Sequence, residues 1–158
     1  MEIRYMLAED KPGVMQMLRN TPEFTPEEVD LAEEVIDDYL ADPQGSGYYT
    51  LIAEVDSKIA GYVIYGPVPI TDNVWELYWF AVDKSLRGQG TGRKLWDTAE
   101  DNMWNAGARI MVMETSSKSE YDRTNLFYER SGYELVGRIK DFYMIGDDQI
   151  TYAKYRKK

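Results

Sequence analysis

Three glycines alternate in Arg87-Gly88-Gln89-Gly90-Thr91-Gly92, between a strand-forming run, Val74 to Val82, and a run with apolar residues at helical spacing. Glycine lets a backbone approach a ligand closely, and the start of a helix adds unpaired amide donors and the positive end of a dipole. The chemistry such a loop supports is the binding of a pyrophosphate. Two common phosphate-binding patterns fail on spacing. A dinucleotide fingerprint requires glycine where Arg93 stands, and a nucleotide P-loop requires four residues between its glycines followed by Lys-Ser/Thr, where this chain runs Gly88-Gln89-Gly90-Thr91-Gly92-Arg93-Lys94-Leu95. A domain that holds ATP or NAD phosphates on this loop is therefore the weaker alternative.

The chain has no cysteine and no histidine, which removes disulfides, zinc-finger sites, thiol nucleophiles and every His-based triad or metal centre. Proton transfer falls to Glu, Asp, Tyr or Lys, with no metal expected. Three residues stand out. Glu114 ends the apolar run Ile110-Met111-Val112-Met113 and is the first candidate for a general base. Glu76 is its rival, a charge inside the run Val74-Trp75-Glu76-Leu77-Tyr78-Trp79-Phe80. Tyr128 is among the phenols available for proton transfer. Each has a plainer reading: a strand-end charge facing water for Glu114, a paired carboxylate for Glu76, a half-buried aromatic for Tyr128.

A formal net charge of −10 over 158 residues argues against a phosphate-backbone partner, since nucleic-acid recognition starts from a basic face. From Glu23 to Asp42 there are nine acidic residues and no basic one. Such a surface attracts a cationic amine, a polyamine or a basic peptide end, although acidic runs on helices are commonly a solvated face. The opening Met1-Glu2-Ile3-Arg4 lacks the apolar stretch of a secretory signal and no window has the length of a membrane span, so a cytoplasmic protein without membrane partners is expected.

The elements that must position these residues follow from periodicity. Ile3, Tyr5 and Leu7 alternate as a strand, and Asp10 is placed to cap a helix starting near Pro12. Thr25-Pro26-Glu27-Glu28 supplies an N-cap, a first-turn proline and a capping-box glutamate for a second helix that stops at Asp42-Pro43. Tyr48 to Val55 and Ile59 to Tyr65 form a hairpin, followed by the strand Val74 to Val82. After the glycine loop, Leu95, Trp96, Ala99 and Met103 mark a helix that closes at Gly107. Ile110 to Met113 is a short strand, Thr124 to Arg130 a helix, and Glu134 to Ile139 with Gln149 to Lys154 a final strand pair around Gly146-Asp147-Asp148. The sum is a mixed α/β sheet in one domain over residues 1–158, whose last strand pair permits a homodimer.

At this point the chain resembles the GNAT superfamily of N-acyltransferases, whose coenzyme loop reads Gln/Arg-x-x-Gly-x-Gly/Ala, matched by Arg87, Gly90 and Gly92. The late motif Phe127-Tyr128-Glu129-Arg130-Ser131-Gly132-Tyr133 falls where the family has its second signature. The resemblance implies an α/β (α+β) GNAT fold with a mixed, mostly antiparallel sheet of about six to seven strands and about four helices. It implies that the loop from Arg87 through Gly88, Gln89, Gly90, Thr91 and Gly92 binds the pyrophosphate of acetyl-CoA. The backbone of Phe80 and Val82 would pair with the pantetheine arm, and Asn125 would contact the coenzyme near it. By similarity to the ribosomal-protein alanine N-acetyltransferases, Glu114 would act as base and Tyr128 as acid, although the loop Ser116 to Arg123 is slightly longer here. Other superfamily members carry a catalytic glutamate at the place of Glu76. The implied activity is acetyl transfer to a primary amine of a small molecule or a peptide N-terminus, by direct attack in a ternary complex. The alternative is an acyl-CoA-binding sensor or interaction module of the same fold. The aromatic set Trp75, Tyr78, Trp79, Phe142 and Tyr143 is available to line the acceptor mouth.

Overall fold

The computed structural model describes residues 1–158. Its strands are β1 (Glu2–Tyr5), β2 (Tyr49–Val55), β3 (Lys58–Pro67), β4 (Val74–Val82), β5 (Ile110–Ser116), β6 (Glu134–Met144) and β7 (Asp147–Tyr155). The helices are α1 (Lys11–Arg19), α2 (Pro26–Ala41), α3 (Thr91–Asn105) and α4 (Asp122–Arg130). All seven strands form one sheet in the order β1-β2-β3-β4-β5-β7-β6. Every neighbouring pair is antiparallel except β4 and β5, which run parallel. No helix is long and apolar enough to cross a membrane.

Strand alternation sends Leu51 and Ile52 to opposite faces, and each face builds its own core. On one, Val14, Leu18 and Ile36 from α1 and α2 pack against Ile52, Tyr62 and Ile64. On the other, Leu95, Trp96, Ala99 and Met103 from α3 and Tyr128 from α4 pack against Leu51, Val63, Met111 and Tyr152. Trp96 is fully buried, and its indole N–H donates to Glu100 Oε1 at 2.8 Å. Lys154 Nζ on β7 donates to Glu100 Oε2 at 2.8 Å and to the Ser131 carbonyl at 2.9 Å, so one ammonium fastens β7 to α3 and to the end of α4.

The capping box at α2 forms as its sequence requires: Glu28 N donates to Thr25 Oγ1 at 3.2 Å and Thr25 N to Glu28 Oε2 at 2.7 Å. Asp10 does not cap α1. Its carboxylate instead accepts from both terminal nitrogens of Arg4 and from the Leu7 amide, a charged partner outweighing a helix amide. Leu7 lies past β1 and is exposed. The strand expected to end at Met113 continues to Ser116 because β7 pairs with it along its whole length, which places Glu114 within β5 rather than at its end. Strand β6 likewise runs beyond Ile139 to Met144, while Asp147 and Asp148 belong to β7.

Candidate active site

Strand β4 pairs with β5 only from Val74 to Glu76. Immediately beyond, the register with β3 shifts: Tyr65 faces Leu77 and Ile64 faces Trp79, leaving Tyr78 as an extra, bulged residue. A bulge bends its strand and re-aims its side chains. Here it turns β4 away from β5, so that no strand lies between Leu77–Val82 and the second half of β5. A cleft of about 1070 Å³ occupies the fork, with Glu76, Phe80, Val82, Gly88, Gly90, Gly92, Glu114 and Tyr128 in its walls.

At one limit of the cleft is the glycine loop. Gly88 (φ +79°) and Gly90 (φ +85°) take left-handed backbone conformations, and a Cβ at either position would meet nothing within 4 Å. These positions thus call for glycine by conformation rather than by space. Gly92 is the converse case, since a Cβ there would lie 3.0 Å from Val82 Cγ2 and 3.3 Å from Phe80 Cζ. Its small size lets α3 start hard against β4. The first helical hydrogen bond runs from Lys94 N to the Gly90 carbonyl at 3.1 Å, and the amides of Gly88 through Arg93 donate to nothing within the protein. A cradle of free donors at a helix start fits an anionic diphosphate.

At the apex of the fork lie two carboxylates. Glu76 stands opposite Val112, and Glu114 is two residues further along β5, so both side chains project from the same face of the sheet. Glu76 is partly buried, and burial, reinforced by the charge of Glu114, pushes its carboxyl up to about 6. Glu114 is exposed and accepts from Gln149 Nε2 at 3.1 Å. Burial, with a smaller contribution from Tyr152, drives the Tyr128 phenol well above its ordinary range. Its hydroxyl has no hydrogen-bond partner in the protein while the side chain lines the cleft. It is therefore a neutral phenol whose proton is free to be shared with a ligand.

The model of the acetyltransferase (GNAT) family matches residues 13–133. The chain belongs to that family. A solved GNAT-family protein from Desulfovibrio desulfuricans is 36% identical over 98% of both chains, with a TM-score of 0.93. N-alpha-acetyltransferase 30 of Schizosaccharomyces pombe is 37% identical over 75 residues, 48% of this chain, and the match spans about half (49%) of that relative. The ribosomal-protein-S18-alanine N-acetyltransferase of Escherichia coli shares the fold, with a TM-score of 0.78 at 20% identity over 98% of this chain and 92% of that one. The sheet of seven mostly antiparallel strands with four helices is the GNAT fold.

Within this GNAT cleft, the expected site residues divide. Glu76, Phe80, Val82, Arg87, Gly88, Gly90, Gly92, Glu114 and Tyr128 line it together. Gln89 and Thr91 do not: Gln89 turns outward to the Ser85 carbonyl at 3.5 Å, and Thr91 is buried in the first turn of α3. Asn125 is also absent from the walls. Its Oδ1 accepts from Thr115 Oγ1 at 3.0 Å and its Nδ2 donates to the Ser116 carbonyl at 3.1 Å, so both ends of the amide tie α4 to β5. The Arg87 guanidinium is engaged as well, with Glu23 Oε1 at 2.6 Å, Glu23 Oε2 at 3.0 Å and the Val82 carbonyl at 3.3 Å. Burial pushes the Glu23 carboxyl up, but hydrogen bonds from Arg87 and its own amide, with the charges of Arg87 and Arg123, outweigh this and leave it lowered.

Of the aromatic set, Tyr78, Trp79 and Tyr143 reach the cleft, Trp75 is core, and Phe142 is exposed away from it. Of the acidic run, Glu23 and Glu28 line the cleft, while Glu33 and Asp37 pair with Lys11. Sequence reasoning missed Tyr121, whose hydroxyl donates to Glu28 Oε1 at 3.3 Å and joins the loop after β5 to α2. It also missed three cleft arginines, Arg93, Arg123 and Arg130. The signal available for them was cationic residues at positions 123 and 130, seven apart in a helical pattern, in a strongly acidic chain.

Proposed function

We propose that the protein transfers an acetyl group from acetyl-CoA to a primary amine by direct attack in a ternary complex. The observation that carries this reading is the fork itself: one cleft joins unpaired amide donors at the start of α3 to a raised-pKa carboxylate and a free phenol. The amides from Gly88 to Gly92 hold the pyrophosphate. The pantetheine arm runs along the edge of β4 at Phe80 and Val82, which the bulge at Tyr78 has freed from β5. That path directs the thioester toward the apex.

Glu76 is the better-suited base. At neutral pH a carboxyl titrating near 6 is ionised, yet it holds a proton more strongly than an ordinary carboxylate. It takes a proton from the acceptor ammonium, through a water where the distance requires one. The amine lone pair then attacks the thioester carbonyl, the C–N bond forms, and the tetrahedral oxyanion collapses with cleavage of the C–S bond. Tyr128, neutral because its pKa is raised, delivers its proton to the departing thiolate and is restored by the second proton that the attacking nitrogen sheds as the amide forms. Glu114 contributes charge that draws in the ammonium and raises the proton affinity of Glu76. No covalent enzyme intermediate is involved. The acceptor is the amine of a cationic small molecule or of a polypeptide N-terminus, attracted by Glu28, Glu76 and Glu114 in the cleft walls.

The test combines calorimetric titration with acetyl-CoA and colorimetric thiol release in the presence of peptides, polyamines and aminoglycosides. A protein without cysteine adds no thiol background. Stoichiometric binding with amine-dependent thiol release is expected. Binding without release for any amine class would leave a coenzyme sensor, and absence of binding would refute the reading.

A further inference from the structure

Six of the nine arginines donate to a carboxylate or a backbone carbonyl, as Arg87 does to Glu23 and Arg156 to Ala108 and Trp104, and Arg19 is ion-paired with Glu33 at 4.0 Å. Arg123 and Arg130 donate to none, in a chain with 28 acidic residues. Both are exposed, and both line the coenzyme cleft. They lie seven residues apart on α4, two turns or about 10 Å along one stripe of the helix. Phe127 stands between them on the same stripe, and Arg93 at the start of α3 lies over its ring, 5.0 Å from the centroid. This contact fixes the cationic stripe beside the amides assigned to the pyrophosphate.

We infer that Arg123 and Arg130 form a second anion subsite, which binds the phosphomonoester on the ribose of the coenzyme. The inference rests on the acetyl-CoA reading above and deepens it. The loop amides satisfy a diphosphate, and Arg87, the only charged side chain from Arg87 to Gly92, is held by Glu23 with both terminal nitrogens. A further dianion carried by the same ligand then requires separate cations. Guanidinium pairs match phosphate oxygens through several charge-assisted hydrogen bonds. The subsite makes the protein select the full coenzyme over a donor that offers only a phosphopantetheine arm, such as an acyl carrier protein.

Calorimetric titration of the intact protein with coenzyme A, 3′-dephospho-coenzyme A and 4′-phosphopantetheine tests this, using the parent, the double variant Arg123→Ala/Arg130→Ala, and Arg109→Ala as an exposed arginine outside the cleft. The parent and Arg109→Ala are expected to bind coenzyme A about tenfold or more tightly than the dephospho form, as for hydrogen bonds to a charged group. The double variant should bind both equally, at the level of the parent with the dephospho form. A parent that binds the two within twofold, a double variant that keeps the preference, or a parent that binds 4′-phosphopantetheine as tightly as coenzyme A would each overturn the inference. A parent that binds none of the three brings down the coenzyme reading itself. Both arginines are exposed, so the double variant is expected to fold, with an unchanged melting temperature as the control.

Discussion

Replacing Glu76 by Gln should stabilise the protein while abolishing its proton-transfer role. The carboxyl rises from an ordinary 4.5 to about 6 in the folded protein, through burial first and the charge of Glu114 second. Below pH 4.5 it is protonated in both folded and unfolded chains and adds no penalty. As the pH climbs through 6 the folded state must carry a partly buried anion, which costs about 2 kcal/mol for a rise of this size. Screening by the open cleft reduces that to about 1–2 kcal/mol. A neutral amide of the same shape removes the cost. Urea unfolding of the two proteins should therefore differ by about 1–2 kcal/mol in favour of Glu76→Gln at pH 8, converging near pH 4, with equal slopes. For a chain of this length the corresponding rise in melting temperature is about 2–8 °C. Acetyl transfer to an acceptor identified by the panel should fall by about two orders of magnitude. Its acid limb near pH 6 should disappear. A stability difference independent of pH, or a less stable variant at pH 8, would refute the argument from burial and mutual charge.

Glu114→Gln removes the charge that helps raise Glu76, so the acid limb of kcat/KM is expected to move below pH 6 with a loss of activity smaller than that of Glu76→Gln, checked by pH–rate profiles. Tyr128→Phe deletes a hydroxyl that makes no hydrogen bond within the protein. Stability should change by less than about 0.5 kcal/mol in urea titration, while kcat falls at least about tenfold, with the larger effect on kcat than on KM. Lys154→Met strands the Glu100 carboxylate between Trp96 and the sheet, and unfolding measurements should show a loss of about 2–4 kcal/mol. Gly90→Ala forces a Cβ into a left-handed conformation without any clash, so about 1–2 kcal/mol of stability is expected to be lost, together with acetyl-CoA affinity in calorimetry.

Much of this protein is written in local sequence. The capping box of Thr25 and Glu28, the helical spacing of Leu95, Trp96, Ala99 and Met103, and the glycines of the loop after β4 each act through neighbours a few residues away. Side chains and backbone conformations at that range need no knowledge of the rest of the chain. Strand ends were less legible: Ser116 lies in a strand because β7 pairs with it, and nothing in Thr115 or Ser116 announces that partner.

The site depended on contacts between distant segments. Glu76 and Glu114 are 38 positions apart, and only the parallel pairing of β4 with β5 brings both to one face at the apex of a fork. The bulge at Tyr78 that opens this fork is a mismatch of register between two strands, a property of neither alone. Arg87 and Asn125 look like ligand-binding residues by position, but Glu23, Thr115 and Ser116 engage them, because a side chain in a folded protein bonds to whatever partner packing delivers. The sequence by itself determined the family, the glycine loop at the start of α3 and the absence of thiol and imidazole chemistry, since these follow from residue type and short spacing. The raised proton affinity of Glu76 was decided by the tertiary structure, because burial and the proximity of a second charge arise only when remote strands are assembled.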